Sequence, residues 1–286
     1  MKNVIEKAEV LIEALPYIKK FYGKIVVIKY GGSALVNPEI KETIIKDIAL
    51  MKLVGMKPVI VHGGGPDINS FLDKMDIKPK FINGLRVTDP ETMQIVEMVL
   101  AGKLNKSIVT DIELQGVKAV GISGKDGGIL SAYKIDNGDV DYGCVGDVKA
   151  VDTSLIETLL DKDFIPVIAP IGKDEKGNTY NINADYAGVA IAGALNAEKL
   201  VFLTDVEGVM KDVHNPNSIM SFIKSSDVQN LINDGTISGG MIPKIRCCIA
   251  GVEAGVKNVH ILDGRVEHCL LLEIFTQKGI GTMISK

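Results

Sequence analysis

Residues 24–33, Lys24-Ile25-Val26-Val27-Ile28-Lys29-Tyr30-Gly31-Gly32-Ser33, decide the fold. Four consecutive β-branched residues, Ile25–Ile28, are followed by Lys29-Tyr30 and a glycine pair, which predicts a buried strand over Lys24–Tyr30 that ends in a tight turn. The pattern returns at Pro58–His62, followed by Gly63-Gly64-Gly65-Pro66, and Glu39–Leu53 between the two has helical spacing. Lys118–Ile122, Phe164–Ala169, Lys199–Thr204 and Asn258–Leu262 read as further strands, with helices over Pro90–Leu114, Asp185–Leu195 and Met241–Ala254. Such alternation predicts an α/β fold, an open and largely parallel sheet covered by helices on both faces. Ser131–Val148, with Gly138, Gly143 and Gly146, reads as a hairpin region, and Lys211–Ser218 as a loop. There is no internal repeat, low-complexity tract or clear linker.

Composition narrows the function. The 286 residues are 46% hydrophobic and 24% charged, with a formal charge of −4, an ordinary globular balance. No Lys/Arg cluster forms the basic stripe that nucleic acid needs. No apolar run approaches the ~20 residues that cross a bilayer, and the N-terminus lacks a signal-like apolar stretch. Cys144, Cys247, Cys248 and Cys269 follow neither a metal-ligand nor a disulfide spacing, so free thiols in a reducing cytoplasm are expected. The first about twenty residues form a helical unit with Val4, Ala8, Leu11, Ile12 and Leu15 on one face, interrupted by Pro16. That face either packs on another subunit or folds back on its own domain.

Three glycine turns stand where an anion can bind. Lys29-Tyr30-Gly31-Gly32-Ser33 offers backbone N–H groups that no Cβ shields, with a lysine charge beside them; the alternative is a strand exit with a solvated lysine. His62-Gly63-Gly64-Gly65-Pro66 opens a helix, and a run of three glycines is costly in entropy for a turn with no ligand. His62 by itself reads as a strand-end hydrogen-bonding residue. Ser123-Gly124-Lys125-Asp126-Gly127-Gly128 is not a P-loop, because its spacing is wrong and Asp follows the lysine; it reads as structural or substrate-bordering. The dinucleotide fingerprint also fails, since Ile68 occupies the third glycine position.

Further residues carry chemistry. Arg86, in Gly84-Leu85-Arg86-Val87-Thr88, suits bidentate capture of a carboxylate. Asn181-Ile182-Asn183-Ala184-Asp185 leads into a helix and can cap it, bind ligand, or do both. Lys244 follows Ser238-Gly239-Gly240 at a helix start, where the macrodipole disfavours a cation, a misfit that points to a ligand.

Taken in order, VIKYGG (27–32), VHGGGP (61–66), NGLRVTD (83–89), EMVLAGKLNK (97–106), FIPVIAPIG (164–172), NINAD (181–185), LTDVEGV (203–209) and GGMIPK (239–244) resemble the amino acid kinase family from Lys24 onward. The resemblance implies an αβα sandwich around a largely parallel open sheet with an extra N-terminal helix. It is one domain over 1–286, with an oligomerisation helix at 1–22, an acidic-substrate lobe at about 23–195 and a nucleotide and regulatory lobe at about 196–286. It implies transfer of the ATP γ-phosphate to the side-chain carboxylate of N-acetyl-L-glutamate. Lys29 and Lys244 would stabilise the transition state, with Asp185 holding both. Gly64, Gly65, Arg86 and Asn181 would hold the substrate. Gly31, Gly32, Asp205, Gly208, Met210 and Ser238 would bind nucleotide and phosphate. Mg²⁺ would be held mainly by ATP phosphates, with no protein metal site.

The segments 259–265, Glu273 and 279–283, with EALPYI (13–18), resemble the arginine-sensitive branch of that family. This implies inhibition by arginine near Lys199, His260, Glu273 and Gly279, and a homohexamer built as a trimer of dimers; the alternative is a helix and strand that merely close the lobe. A P-II type signalling protein is a possible partner by resemblance. The rival readings are a related kinase for aspartate, glutamate, carbamate or UMP, and a catalytically silent arginine sensor.

Overall fold

A computed structural model of the chain describes residues 2–286 apart from 137, 139, 213, 214, 216, 217 and 278, and the backbone alone of 2–8, 10, 33 and 36. Val4 and Ala8 of the expected apolar stripe, and much of the 211–218 loop, therefore lie outside the described residues or side chains. The chain begins with α1 (Lys2–Phe21), β1 (Ile25–Tyr30), α2 (Ser33–Val36), α3 (Pro38–Leu53), β2 (Lys57–His62) and α4 (Gly65–Lys74). Next come β3 (Phe81–Ile82), β4 (Leu85–Arg86), α5 (Pro90–Glu97), α6 (Asn105–Glu113), β5 (Ala119–Ser123), β6 (Leu130–Lys134), β7 (Val145–Val151) and α7 (Ser154–Asp161). Then follow β8 (Ile165–Ala169), β9 (Ile171–Lys173), β10 (Thr179–Ile182), α8 (Ala184–Ala194), β11 (Lys199–Thr204) and β12 (Phe222–Lys224). The last elements are α9 (Val228–Asn233), α10 (Met241–Glu253), β13 (Asn258–Asp263), α11 (Cys269–Ile274) and β14 (Thr282–Ser285).

Eight strands form the main sheet in the order β12-β14-β13-β11-β1-β2-β8-β5. The run from β13 to β5 is parallel, while β14 lies antiparallel to β13 and carries β12 with it. Strand periodicity sorts β1 between two cores: Val26, Ile28 and Tyr30 enter one cluster and Val27 the other. Residues of α3 and α6 fill the first cluster, and those of α7, α8 and α10 the second. From β1 the chain proceeds to β2 on one side and later returns to β11 on the other. That reversal opens a crevice beyond the carboxyl ends of these strands, the place where open α/β sheets bind ligands. Because Tyr30 pairs with His62 in register, the two glycine turns leave the sheet side by side.

The architecture departs from expectation at three points. Pro16 does not end α1, which runs on to Phe21. Proline removes one donor from a helix at a cost of about 3 kcal/mol, and beyond it the helix is anchored by buried Phe21 and by Tyr17 packed on the core. The helix expected over Pro90–Leu114 contains a π-helical segment, Met98–Leu104, between α5 and α6. The hairpin expected over 131–148 exists as antiparallel β6 and β7, but it joins β9 and β10 in a small closed sheet.

No helix among the described residues is long and apolar enough to cross a membrane. All four cysteines are free.

Candidate active site

The turn after β1 is tight for two reasons. Gly32 has φ +67°, and a Cβ there would stand 2.9 Å from Asp205 Oδ1, so the turn abuts the residue that follows β11. Lys29, one position before the end of β1, reaches across to Asp185 Oδ1 at 3.0 Å. Asp185 sits in the first turn of α8, whose N-terminus is capped by the Asn183 side chain accepting from the Asp185 N–H at 2.8 Å. The residues 181–185 thus divide their work: Asn183 caps, and Asp185 holds a lysine.

Lys244 lies in the first turn of α10. Burial, and then the positive charge of Lys29, pull its ammonium below the ordinary lysine range, while Asp185 and Asp205 pull it back. Two cations and two carboxylates from β1, α8, α10 and the β11 exit therefore act on one another. Asp185 pairs with Lys29; among the described residues it forms no ion pair with Lys244, whose approach is through field alone.

The second glycine turn is built around π-helix packing. A Cβ on Gly64 would stand 2.5 Å from Leu100 Cδ2 and 2.8 Å from Leu104 Cδ2, both in the π segment. Only glycine lets the turn lie this low. The Gly63 N–H donates to Tyr30 O at 2.8 Å, which ties the two glycine turns together. Beside it is a cavity of about 200 Å³ whose wall includes Gly63–Gly65, Arg86, Leu100, Asn181 and Ala184. Arg86 Nη2 donates to Asn69 Oδ1 at 2.6 Å and to Gly65 O at 3.2 Å, and its guanidinium lies 4.7 Å from the Phe81 ring centre. Nη1 of the same group is buried with no hydrogen-bond partner. A buried unpaired guanidinium nitrogen is costly, and an incoming carboxylate is its natural partner. Asn181 is oriented by Thr88, to whose Oγ1 its side-chain amide donates at 3.2 Å.

A second cavity, of about 300 Å³, follows β11 and is lined by Asp205, Gly208, Met210, Thr236, Ser238 and Arg265, among others. The nucleotide residues expected from sequence at 205, 208, 210 and 238 thus share one wall; Gly32 adjoins it through Asp205, while Gly31 lies against Lys29. Arg265 was missed. It is clamped to Asp263 by two 2.8 Å hydrogen bonds, and its motif, Asp263-Gly264-Arg265, was read only as part of the C-terminal stretch.

A third cavity, of about 410 Å³, lies between the end of α1, the start of β11 and α11, and gathers Lys199, His260, Glu273 and Gly279. Lys199 Nζ donates to His260 Nε2 at 2.9 Å, and His260 Nδ1 donates to Glu273 Oε1 at 2.7 Å. The other carboxylate oxygen of Glu273 accepts from the N–H groups of Ile280 and Gly281 at 2.9 and 3.2 Å. Since an ammonium can only donate, the imidazole in this chain is neutral with its proton on Nδ1. Burial brings Lys199 down to about 8 and also lowers His260. Burial pushes Glu273 upward, but the His260 bond and the two backbone donors outweigh it and leave the carboxyl below its ordinary value.

Residues 24–263 match the model of the Amino acid kinase family. A protein named acetylglutamate kinase from Heliobacterium modesticaldum is 56% identical and covers 100% of both chains. Another of that name, from Caldanaerobacter subterraneus subsp. tengcongensis, is 57% identical over 99% of this chain and 94% of its own. Among solved structures, N-acetylglutamate synthase from Neisseria gonorrhoeae, complexed with coenzyme A and N-acetyl-glutamate, superposes with a TM-score of 0.85 at 27% identity. The match covers 98% of this chain but 63% of that longer one. The same synthase complexed with coenzyme A and L-arginine matches with a TM-score of 0.79, again at 27% identity, over 98% of this chain and 65% of that one. With this fold, these glycine turns and these relatives, the chain belongs to the amino acid kinase family and is a kinase.

Proposed function

We propose that the chain transfers the γ-phosphoryl group of ATP to the side-chain carboxylate of N-acetyl-L-glutamate, giving N-acetylglutamyl 5-phosphate. The observation that carries the substrate is Arg86, which lines the cavity with Gly64, Gly65 and Asn181 and keeps one buried guanidinium nitrogen, Nη1, without a hydrogen-bond partner. In this reading the guanidinium takes the α-carboxylate and the side-chain carboxylate is directed to Lys29. The relatives named acetylglutamate kinase, at 56% and 57% identity over almost the whole chain, support this choice over aspartate, glutamate, carbamate or UMP.

A carboxylate is already ionised near pH 7, so no side chain needs to remove a proton. The obstacle is charge. Bringing one anion to 4 Å from another costs about 4 kcal/mol at an effective dielectric of 20, and a nucleotide presents several. Lys29 and Lys244 meet that charge, with the Gly32 and Gly64 N–H groups as fixed donors. The 3.0 Å contact to Asp185 aims Lys29 rather than accepting a substrate proton. Mg²⁺, held chiefly by the nucleotide phosphates, would supply further positive charge for the transferring group.

Arginine is the proposed inhibitor, and the third cavity its site. There Glu273 offers a buried carboxylate to a guanidinium, and a crystallised synthase of similar fold holds L-arginine. Leu11 and Ile12, 72% and 68% exposed on α1, support packing of that helix against another copy in a hexamer. A P-II type protein is a further candidate partner by resemblance alone.

The test is hydroxylamine trapping of the acyl phosphate, with ATP and each candidate substrate in turn. Acetylglutamate-dependent product is expected, reduced by millimolar arginine. No turnover with any acid would instead favour the silent sensor.

A further inference from the structure

His62 ends β2 fully buried, and the transfer chemistry makes no use of it. Both ring nitrogens are nevertheless engaged. Nδ1 lies 2.9 Å from Gly63 O, and Nε2 lies 3.1 Å from Asn105 Nδ2. A carbonyl accepts and an amide NH₂ donates, so the ring is neutral, donates a hydrogen bond from Nδ1–H to Gly63 O and accepts one at Nε2. The Asn105 amide is itself fixed: its two hydrogens are shared among His62 Nε2, Val167 O at 2.9 Å and Ile122 O at 3.2 Å. Its Oδ1 accepts from Lys106 Nζ at 3.1 Å, and that ammonium also donates to Gly121 O at 2.6 Å. The imidazole is thereby anchored to β5 and β8 as well as to its own strand. Burial lowers it to about 4, with the Gly63 carbonyl and Asp67 opposing and Lys106 assisting, so it stays neutral near pH 7.

We infer that His62, held by Asn105, is a positioning residue that fixes the Gly63–Gly64 peptide with the Gly64 N–H facing the transferring phosphoryl group. This rests on the reading of the cavity as the phosphoryl-transfer site. In a trans peptide the C=O and N–H point in opposite directions, so a carbonyl drawn inward to the imidazole turns its N–H outward. The other polar groups nearby are taken: the Gly63 N–H by Tyr30 O, and the Gly64 carbonyl by the Ile68 N–H at 3.0 Å. The Gly64 N–H has no acceptor among the described residues although Gly64 is buried, and such a donor needs a ligand. A peptide between two glycines is otherwise the easiest of all to rotate. The imidazole removes that freedom before substrate arrives, which is preorganisation of an oxyanion-type donor.

Two substitutions separate positioning from mere packing. His62→Asn puts an amide NH₂ where Nδ1 stood, keeping the donor to Gly63 O and giving up Asn105. His62→Gln reaches Asn105 and gives up Gly63 O. Each loses one hydrogen bond, so thermal stability should fall similarly in both. The expected result is that His62→Gln lowers kcat by about ten- to a hundredfold with little change in either KM, while His62→Asn retains most of the wild-type kcat. Equal kcat in the two variants, or a loss confined to His62→Asn, overturns the inference and leaves the substrate reading untouched. A wild type without acetylglutamate-dependent ADP release sinks both.

Discussion

Strands β1 and β11 lie side by side, each carrying a lysine, and the fold uses the two in opposite ways. Lys199 opens β11 in register with Val26, is 6% exposed, and donates a hydrogen bond to the neutral imidazole of His260. Lys29 stands three residues further along, roughly 10 Å at 3.3 Å per residue, and among the described residues its ammonium pairs only with Asp185. The first lysine is sealed into a chain that ends on a carboxylate. The second keeps donors turned to the crevice where β1 and β11 part. Position along a parallel strand decides the difference: the amino end faces α1 and α11, the carboxyl end faces the glycine turns. β11 joins the two regions physically, because it starts at Lys199 and runs into Asp205 beside Gly32.

The comparison breaks most visibly at the transfer end. Lys29→Ala or Lys244→Ala should lower kcat by about a hundred- to a thousandfold or more, measured by coupled ADP release. Lys244→Ala should also melt at or above the wild-type temperature, since burial and the Lys29 charge already disfavour its ammonium. Next in size, Arg86→Lys should raise the KM for acetylglutamate by about ten- to a hundredfold with a smaller effect on kcat. One ammonium cannot replace a fork that holds Asn69, Gly65 and a carboxylate together.

The other end is sharpened by Lys199→Met. Arginine inhibition should vanish while kcat without arginine changes little. The folded chain releases the Lys199 proton near pH 8, whereas the unfolded chain keeps it to about 10.5. Stability therefore gains from this group as pH rises through that window, by on the order of 3 kcal/mol at most. The variant should lose that upward slope in melting temperature between pH 8 and 10. The smallest effect on rate is expected from deleting residues 1–20, which should leave kcat near normal while light scattering reports dimers in place of hexamers.

Much of this is legible in the sequence. The parallel strands were bounded to within a residue, because buried runs such as Leu200–Leu203 carry an unmistakable pattern. Glycine turns flag themselves by composition: Gly63–Gly65 border the first cavity, and Gly32 adjoins Asp205 of the second. Short elements were silent: β9 and β12 have three residues each, too few to show a period. The π segment carries no distinct sign in the sequence, since its apolar spacing differs little from helical spacing, and its close packing on Gly64 is a tertiary contact. His62 was read correctly as a hydrogen-bonding strand end, but Asn105, 43 residues away, left no local sign that it would be the partner.

The central claim is that ammonium groups from β1 and α10 converge on one phosphoryl group. It is tested most directly by a crystal structure with ADP, aluminium fluoride and acetylglutamate. The account predicts Lys29 Nζ and Lys244 Nζ both about 3 Å from the fluoride ligands that mimic equatorial oxygens. Two ammonium groups turned away into solvent, with the mimic held by other residues, would contradict it.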